Sequence, residues 1–203
     1  MPTGSLPLAV SERCGAKTLD EFIAYCRKTE KVNVGTYAAG SYAHIVFSEL
    51  NKQYGLKMEA IHYRGEAPMW SDLAGNSLDA GMGSFGAVQP LVHAGKARVV
   101  AVSRRRLNAL PDVATLQEQG AKSRAHTLLT FQACVAPAGT PREVVAKLSD
   151  LFVEAAKSDR IADLLRSQSV DEGPIPMDAS AALYREEGPV WAELAGGLGL
   201  ERM

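Results

Sequence analysis

The chain predicts an α/β fold, and three observations carry that prediction. Short β-branched or apolar runs alternate with amphipathic helical stretches from end to end. The helical stretches open on recognisable caps. The strand-like runs are unbroken rather than alternating, as in residues 97–103 (ARVVAVS), which suits a sheet covered on both faces.

In order, residues 6–10 form a short apolar strand. Thr18 opens a helix, with Glu21 three positions on completing a capping box, and Phe22, Ile23 and Cys26 give it one apolar face. Residues 31–34 make the next strand, which breaks at Gly35. Ser41 caps a second helix that runs to about Tyr54, where Gly55 takes the C′ position. Residues 58–63 read as a strand, 67–74 as a helix, 78–82 as a strand and 85–94 as a helix, before the strand at 97–103. Residues 113–120 suggest a short helix and 128–136 a buried strand. Thr140 and Glu143 form another capping box with Pro141 at the first helical position, opening a helix to about Lys157. Residues 159–167 make one more, and a last helix starts near Asp178, to be broken or kinked by Gly188 and Pro189 before Trp191.

With 203 residues the chain can bury a real core, as one large domain or two small lobes. Apolar residues at 46% and charged residues at 22% exclude disorder, and a net charge of −1 gives no electrostatic case for nucleic acid or an anionic membrane. No apolar run approaches a membrane span, and the first residues lack a secretory signal pattern. Cys14, Cys26 and Cys134 are too few and scattered for a disulfide framework. Cys26 and Cys134 read as small core residues, and Cys14 as a residue of a polar turn.

Two loops could carry chemistry. VGTYAAGSYAH (34–44) leaves a strand, turns through Gly35 and Gly40 and enters a helix at Ser41. A helix start presents unpaired N–H groups and partial positive charge, so it attracts an anion without lysine or arginine. Thr36 and Ser41 add hydroxyls. The second loop, AGMGSFG (80–86), places Gly83 and Ser84 at another helix start. In an open α/β sheet both lie beyond the carboxyl ends of strands, where ligands bind. Each loop reads equally as a plain β–α turn with glycines for geometry alone. Neither holds a dinucleotide or P-loop pattern, so no nucleotide cofactor is expected. His44, His62, His93 and His126 show no metal spacing, and His44 reads as a capping or packing residue. Ser41 lacks the surroundings of a hydrolase nucleophile, so no catalytic residue is expected. Asp72 and Asp79 read as surface or capping groups, and Trp70 and Trp191 as packing residues, although a helix tryptophan can also line a pocket.

Several ordered motifs resemble one known family: AKTLDEFI (16–23), the loop 35–44, HYRGEAP (62–68), DLAG (72–75), AGKAR (94–98), LPDVAT (110–115) and APAGTP (136–141). The chain resembles the substrate-binding proteins of tripartite tricarboxylate transporters, the TctC or Bug family, from residue 6 onward. The resemblance implies a type II periplasmic-binding-protein-like fold of two lobes. Residues 6–127 would form one complete α/β lobe and residues 128–203 the C-terminal part of the other, most of whose N-terminal portion is not in this chain. It implies a periplasmic receptor that holds a small carboxylate and delivers it to membrane transporter subunits. The ligand-holding positions it implies are Thr36, Tyr37, Ala38, Gly40, Ser41, Gly83, Ser84 and Phe131. Many members have aspartate where this chain has Gly83, which disfavours a ligand amino group here. Apolar faces after about residue 129, lacking their usual cover, lead to the expectation of a homo-oligomer. A ligand-sensing regulatory domain of the same fold is the alternative.

Overall fold

A computed structural model describes residues 4–170 and 172–200. Five strands form one sheet: β1 (Pro7–Ser11), β2 (Asn33–Thr36), β3 (Glu59–His62), β4 (Ala80–Met82) and β5 (Ala97–Val102), ordered β3-β2-β4-β1-β5. β2 runs parallel to β3 and β4, and β1 runs antiparallel to β4 and β5. Every residue of β1 is buried. Its side chains divide by the period of two: Leu8 and Val10 enter one core cluster and Ala9 the other. The unbroken apolar run therefore reflects helices on both faces.

On one face lie α1 (Leu19–Lys28) and α2 (Tyr42–Tyr54), packed through Leu19, Phe22, Phe47 and Leu50. On the other lie α3 (Glu66–Ala74) and α4 (Phe85–His93), packed through Met69, Leu73, Phe85 and Val88. The predicted helix starts are in place. The Thr18 hydroxyl accepts from the Glu21 N–H at 3.2 Å, and Glu21 reaches the Lys17 N–H at 2.7 Å. Ser41 caps α2 and Gly55 closes it in the left-handed conformation. Gly35, expected to break its strand, stays within β2. A Cβ there would lie 2.6 Å from both Leu78 and Met69, so the glycine lets α3 pack on the sheet.

Five expectations are corrected. Residues 113–120 form turns, because Leu116 N–H donates to Val102 O at 2.8 Å and Thr115 bridges to Val102, so backbone groups a helix needs serve the edge of β5. Residues 128–136 form no extended strand: Leu128 and Leu129 are buried, but residues 132–139 are exposed, and Cys134 with them. The chain then forms α5 (Arg142–Ala155), α6 (Asp159–Ser167) and α7 (Met177–Gly196). Pro141 flanks α5 without a side-chain cap, so the Thr140–Glu143 box does not form. α7 continues unbroken through Gly188 and Pro189.

Asp79 is the fifth correction. Expected at the surface, it is buried just before β4 and collects three donors. Its carboxylate accepts from Arg13 Nη2 and the Tyr25 hydroxyl, both at 2.7 Å, and from Asn33 N–H at 2.8 Å. It thereby fastens α1 and the turn after β1 to the start of β2. No described residue in α5, α6 or α7 is buried. Yet α7 lies on the α2 face, where Val190, Trp191 and Leu194 pack against the first core cluster. Glu187 of α7 also accepts from the Leu129 N–H at 3.1 Å, pinning the connecting segment. None of the described helices is long and apolar enough to cross a membrane.

Candidate functional site

The three loops that follow the parallel strands β2, β3 and β4 meet at one end of the sheet. The loop after β2 is held by its own groups. Thr36 is fully buried, and its hydroxyl meets His62 Nδ1 at 2.7 Å and Ala38 O at 3.2 Å. Its one proton is committed to these partners, unlike the donor role expected of it. Ala38 is exposed at the crest, and its carbonyl also receives the Ser41 N–H. Gly40 takes a φ of +72°, which a side chain would strain, and donates its N–H to His44 Nδ1 at 3.2 Å. The Ser41 hydroxyl accepts the His44 N–H at 3.4 Å. His44 therefore organises the turn, as a capping residue should. The pairing of β2 with β3 also brings His62 against it, with ring centroids 4.4 Å apart. Burial, then the neighbouring ring, lowers the His44 pKa. Among the described residues no three histidine, cysteine or acidic side chains could hold a metal ion.

With Gly40, Ser41 and His44 engaged, the Tyr42 and Ala43 N–H groups of the α2 start turn to the Tyr37 hydroxyl. Burial, then the charge of Glu66, pushes that phenol up to about 12, and the two amides oppose the rise.

A cleft of about 370 Å³ opens over this helix start. Tyr37, Gly40, Ser41 and Tyr42 line one side, and Thr130, Phe131, Tyr184, Gly188 and Trp191 the other. Of the expected site residues, Tyr37, Gly40, Ser41 and Phe131 meet here. Sequence reading missed Tyr42, Tyr184 and Gly188, because nothing in the α7 pattern says which helix it will lie on. Trp191 packs its ring on Tyr42, centroids 5.7 Å apart and tilted by 54°. Its indole Nε1 is buried with no hydrogen-bond partner among the described residues. The Tyr42 hydroxyl is also buried; it lies near Ser103 without forming a hydrogen bond of ordinary geometry, and burial raises its pKa far above the usual phenol value. Buried donors of this kind are normally satisfied. A second depression, between Glu49, Lys52, Gln53, Lys122 and Ser123, is more open and lies along the flank of α2.

Gly83 and Ser84 do not meet the first cleft as open donors. The Ser84 N–H donates to both oxygens of Glu66 at 3.0 Å, and its hydroxyl donates to Glu66 Oε2 at 2.7 Å. Trp70 Nε1 adds a fourth contact to the same carboxylate at 3.2 Å. Gly83 leaves the space: a Cβ there would be 2.9 Å from Glu66 Cδ. The anion expected at the start of α4 is thus a side chain of the protein itself. Cys14 and Cys26 have thiols raised chiefly by burial, Cys26 up to about 12, the opposite of an activated nucleophile.

A mostly parallel sheet with helices on both faces and a cleft at the loop crests is an α/β architecture in which ligands gather beyond the ends of the strands. Residues 1–187 match the tripartite tricarboxylate transporter family receptor, TctC, and the chain belongs to that family. A UPF0065 protein of Bordetella pertussis is 28% identical over 158 residues, covering 77% of this chain and 48% of that protein. One from Bordetella bronchiseptica is 25% identical over 185 residues, covering 90% and 53%. The chain spans about half the length of these curated relatives. Among solved structures, Rpa4515 of R. palustris with adipate is 25% identical with a TM-score of 0.84, covering 98% of this chain and 67% of that one. The periplasmic binding protein BugD superposes with a TM-score of 0.77 at 24% identity, covering all of this chain and 70% of its own. The α/β periplasmic-binding-protein fold holds, and the family is one of binding proteins, not enzymes.

Proposed function

We propose that this chain holds a small carboxylate in the cleft over the start of α2, as part of a periplasmic receptor that hands its ligand to the membrane subunits of a tripartite transporter. The observation that carries this reading is the start of α2 beneath the cleft, where the Tyr42 and Ala43 N–H groups face only the Tyr37 hydroxyl, with the orphaned Trp191 indole across it. A carboxylate oxygen satisfies such donors and gains from the helix charge distribution. The adipate in the R. palustris relative supports the ligand class. Residues 6–127 act as the ligand-binding lobe and residues 128–203 as the part that belongs to its partner lobe, contributing Phe131 and Trp191. No nucleic acid takes part.

Titration calorimetry with linear carboxylates of four to six carbons tests this. A saturable heat that Trp191→Phe weakens roughly tenfold, the value of one good hydrogen bond, is the expected result. The absence of heat with every member of the series is the contrary one.

The same proposal includes self-association. Leu148, Leu151 and Phe152 of α5 are 44%, 53% and 55% exposed, and Leu164 of α6 is 49% exposed. Repeated large apolar groups on two neighbouring helices make a surface that a second copy can cover. Sedimentation velocity at micromolar concentration is expected to give a dimer or larger, and Leu151→Lys with Phe152→Glu a monomer. A monomeric wild-type protein contradicts it.

A further inference from the structure

We propose that the cleft takes a carboxylate borne on an aromatic ring, the ring seated in a notch at Gly188 between Tyr184 and Trp191. This rests on the carboxylate reading above and deepens it by naming the body of the ligand. Aromatic side chains make up 6% of the chain, yet Tyr37, Tyr42, Phe131, Tyr184 and Trp191 supply five of the nine described positions that line the cleft. No lysine, arginine or acidic side chain is among those positions, whereas the depression along the flank of α2 is lined by Glu49, Lys52 and Lys122. The walls of the cleft therefore offer ring faces and edges, and no counter-charge for a second ionised group.

The notch follows from the spacing along α7. Tyr184, Gly188 and Trp191 stand four and then three positions apart, so they share one face of the helix, with the glycine between two large rings. Glycine weakens a helix interior, and no neighbour here explains it. A Cβ at Gly188 would meet nothing within 4 Å, unlike one at Gly35 or Gly83, where Leu78 and Met69 or Glu66 fill the space. Tyr184 is 67% exposed although it lines the cleft, so most of its ring is uncovered. The cleft holds about 370 Å³, more than twice the roughly 150 Å³ that takes up benzene in an engineered protein cavity. A ring in the notch covers Tyr184 and Trp191 and directs its acid group to the start of α2 on the opposite side.

Calorimetry with 3-phenylpropanoate and nonanoate, equal in carbon number and charge and different only in the ring, reads this directly. Wild-type protein is expected to bind 3-phenylpropanoate roughly tenfold or more tightly than nonanoate. Gly188→Leu fills the notch with a better helix former, so it is expected to raise the melting temperature while weakening 3-phenylpropanoate about tenfold. Tyr184→Leu is expected to bring the two ligands within about threefold. Equal affinities in the wild type, or 3-phenylpropanoate binding that Gly188→Leu leaves unchanged, overturns the ring site while the carboxylate reading stands. Binding of adipate but of neither nine-carbon acid does the same, and binding of none of the three overturns both. The wild-type ratio decides the matter even if a variant fails to fold.

Discussion

Asp79→Ala is expected to lower the stability of the fold by about 3 kcal/mol, at the lower end of what removing one partner of a buried ion pair costs. The carboxylate is 1% exposed, and its removal leaves the Tyr25 hydroxyl and the Asn33 N–H without their acceptor. Arg13, half in solvent, can rehydrate, so the loss lies mostly with the neutral partners rather than the ion pair. Arg13→Ala should accordingly cost much less, and Asp79→Asn an intermediate amount, since one acceptor survives. Urea unfolding followed by circular dichroism measures all three. A midpoint for Asp79→Ala within error of wild type contradicts the arrangement.

Acidification is the second large effect. His126 is fully buried beneath α2, and neither ring nitrogen has a partner among the described residues. Burial lowers its pKa to about 4, against a weaker opposing pull from Glu49. The folded value lies below the ordinary 6.5, so the unfolded chain binds the proton more readily. Stability is then complete above about pH 6.5 and is lost as pH falls towards 4, by about 3 kcal/mol in all. Glu49, whose pKa is lowered by Lys52 and Ser123 in excess of the opposing burial, loses stability on the same side. His126→Leu removes two unsatisfied nitrogens, so it should match or exceed wild-type stability at pH 7 and show a flatter profile between pH 6.5 and 4. Chemical unfolding across that range is the measurement. Parallel profiles for the two proteins contradict it.

The parts of the fold legible in the sequence are those set by neighbouring residues. Thr18 with Glu21, and Ser41 with Gly55, mark helix ends through contacts within a few positions. The sheet followed because the buried run of β1 admits no other placement. What was not legible depends on distant partners. Asp79 reads as a turn acid until Arg13 and Tyr25 arrive from 66 and 54 positions away. Residues 113–120 carry a helical pattern that β5 overrides. Glu66 sits inside the HYRGEAP motif as an ordinary first-turn acid, and only the folded chain sets it against Ser84, 18 positions on. The site was half legible. The start of α2 is visible in its glycines and serine, whereas the closing of the start of α4 by Glu66, and the arrival of Trp191 over Tyr42, are products of packing.

In the proposed function the start of α2 and the Trp191 indole receive the acid group of the ligand. The chain has two tryptophans, and their indole N–H groups lie in different places: Trp70 bonded to Glu66, and Trp191 unpartnered at the cleft. Two-dimensional nitrogen–proton spectra recorded through a titration with adipate resolve them. The Trp191 indole signal and the Tyr42 and Ala43 amide signals are expected to move together and saturate at one ligand per chain. A ligand that saturates the protein while those three signals stay in place contradicts the account.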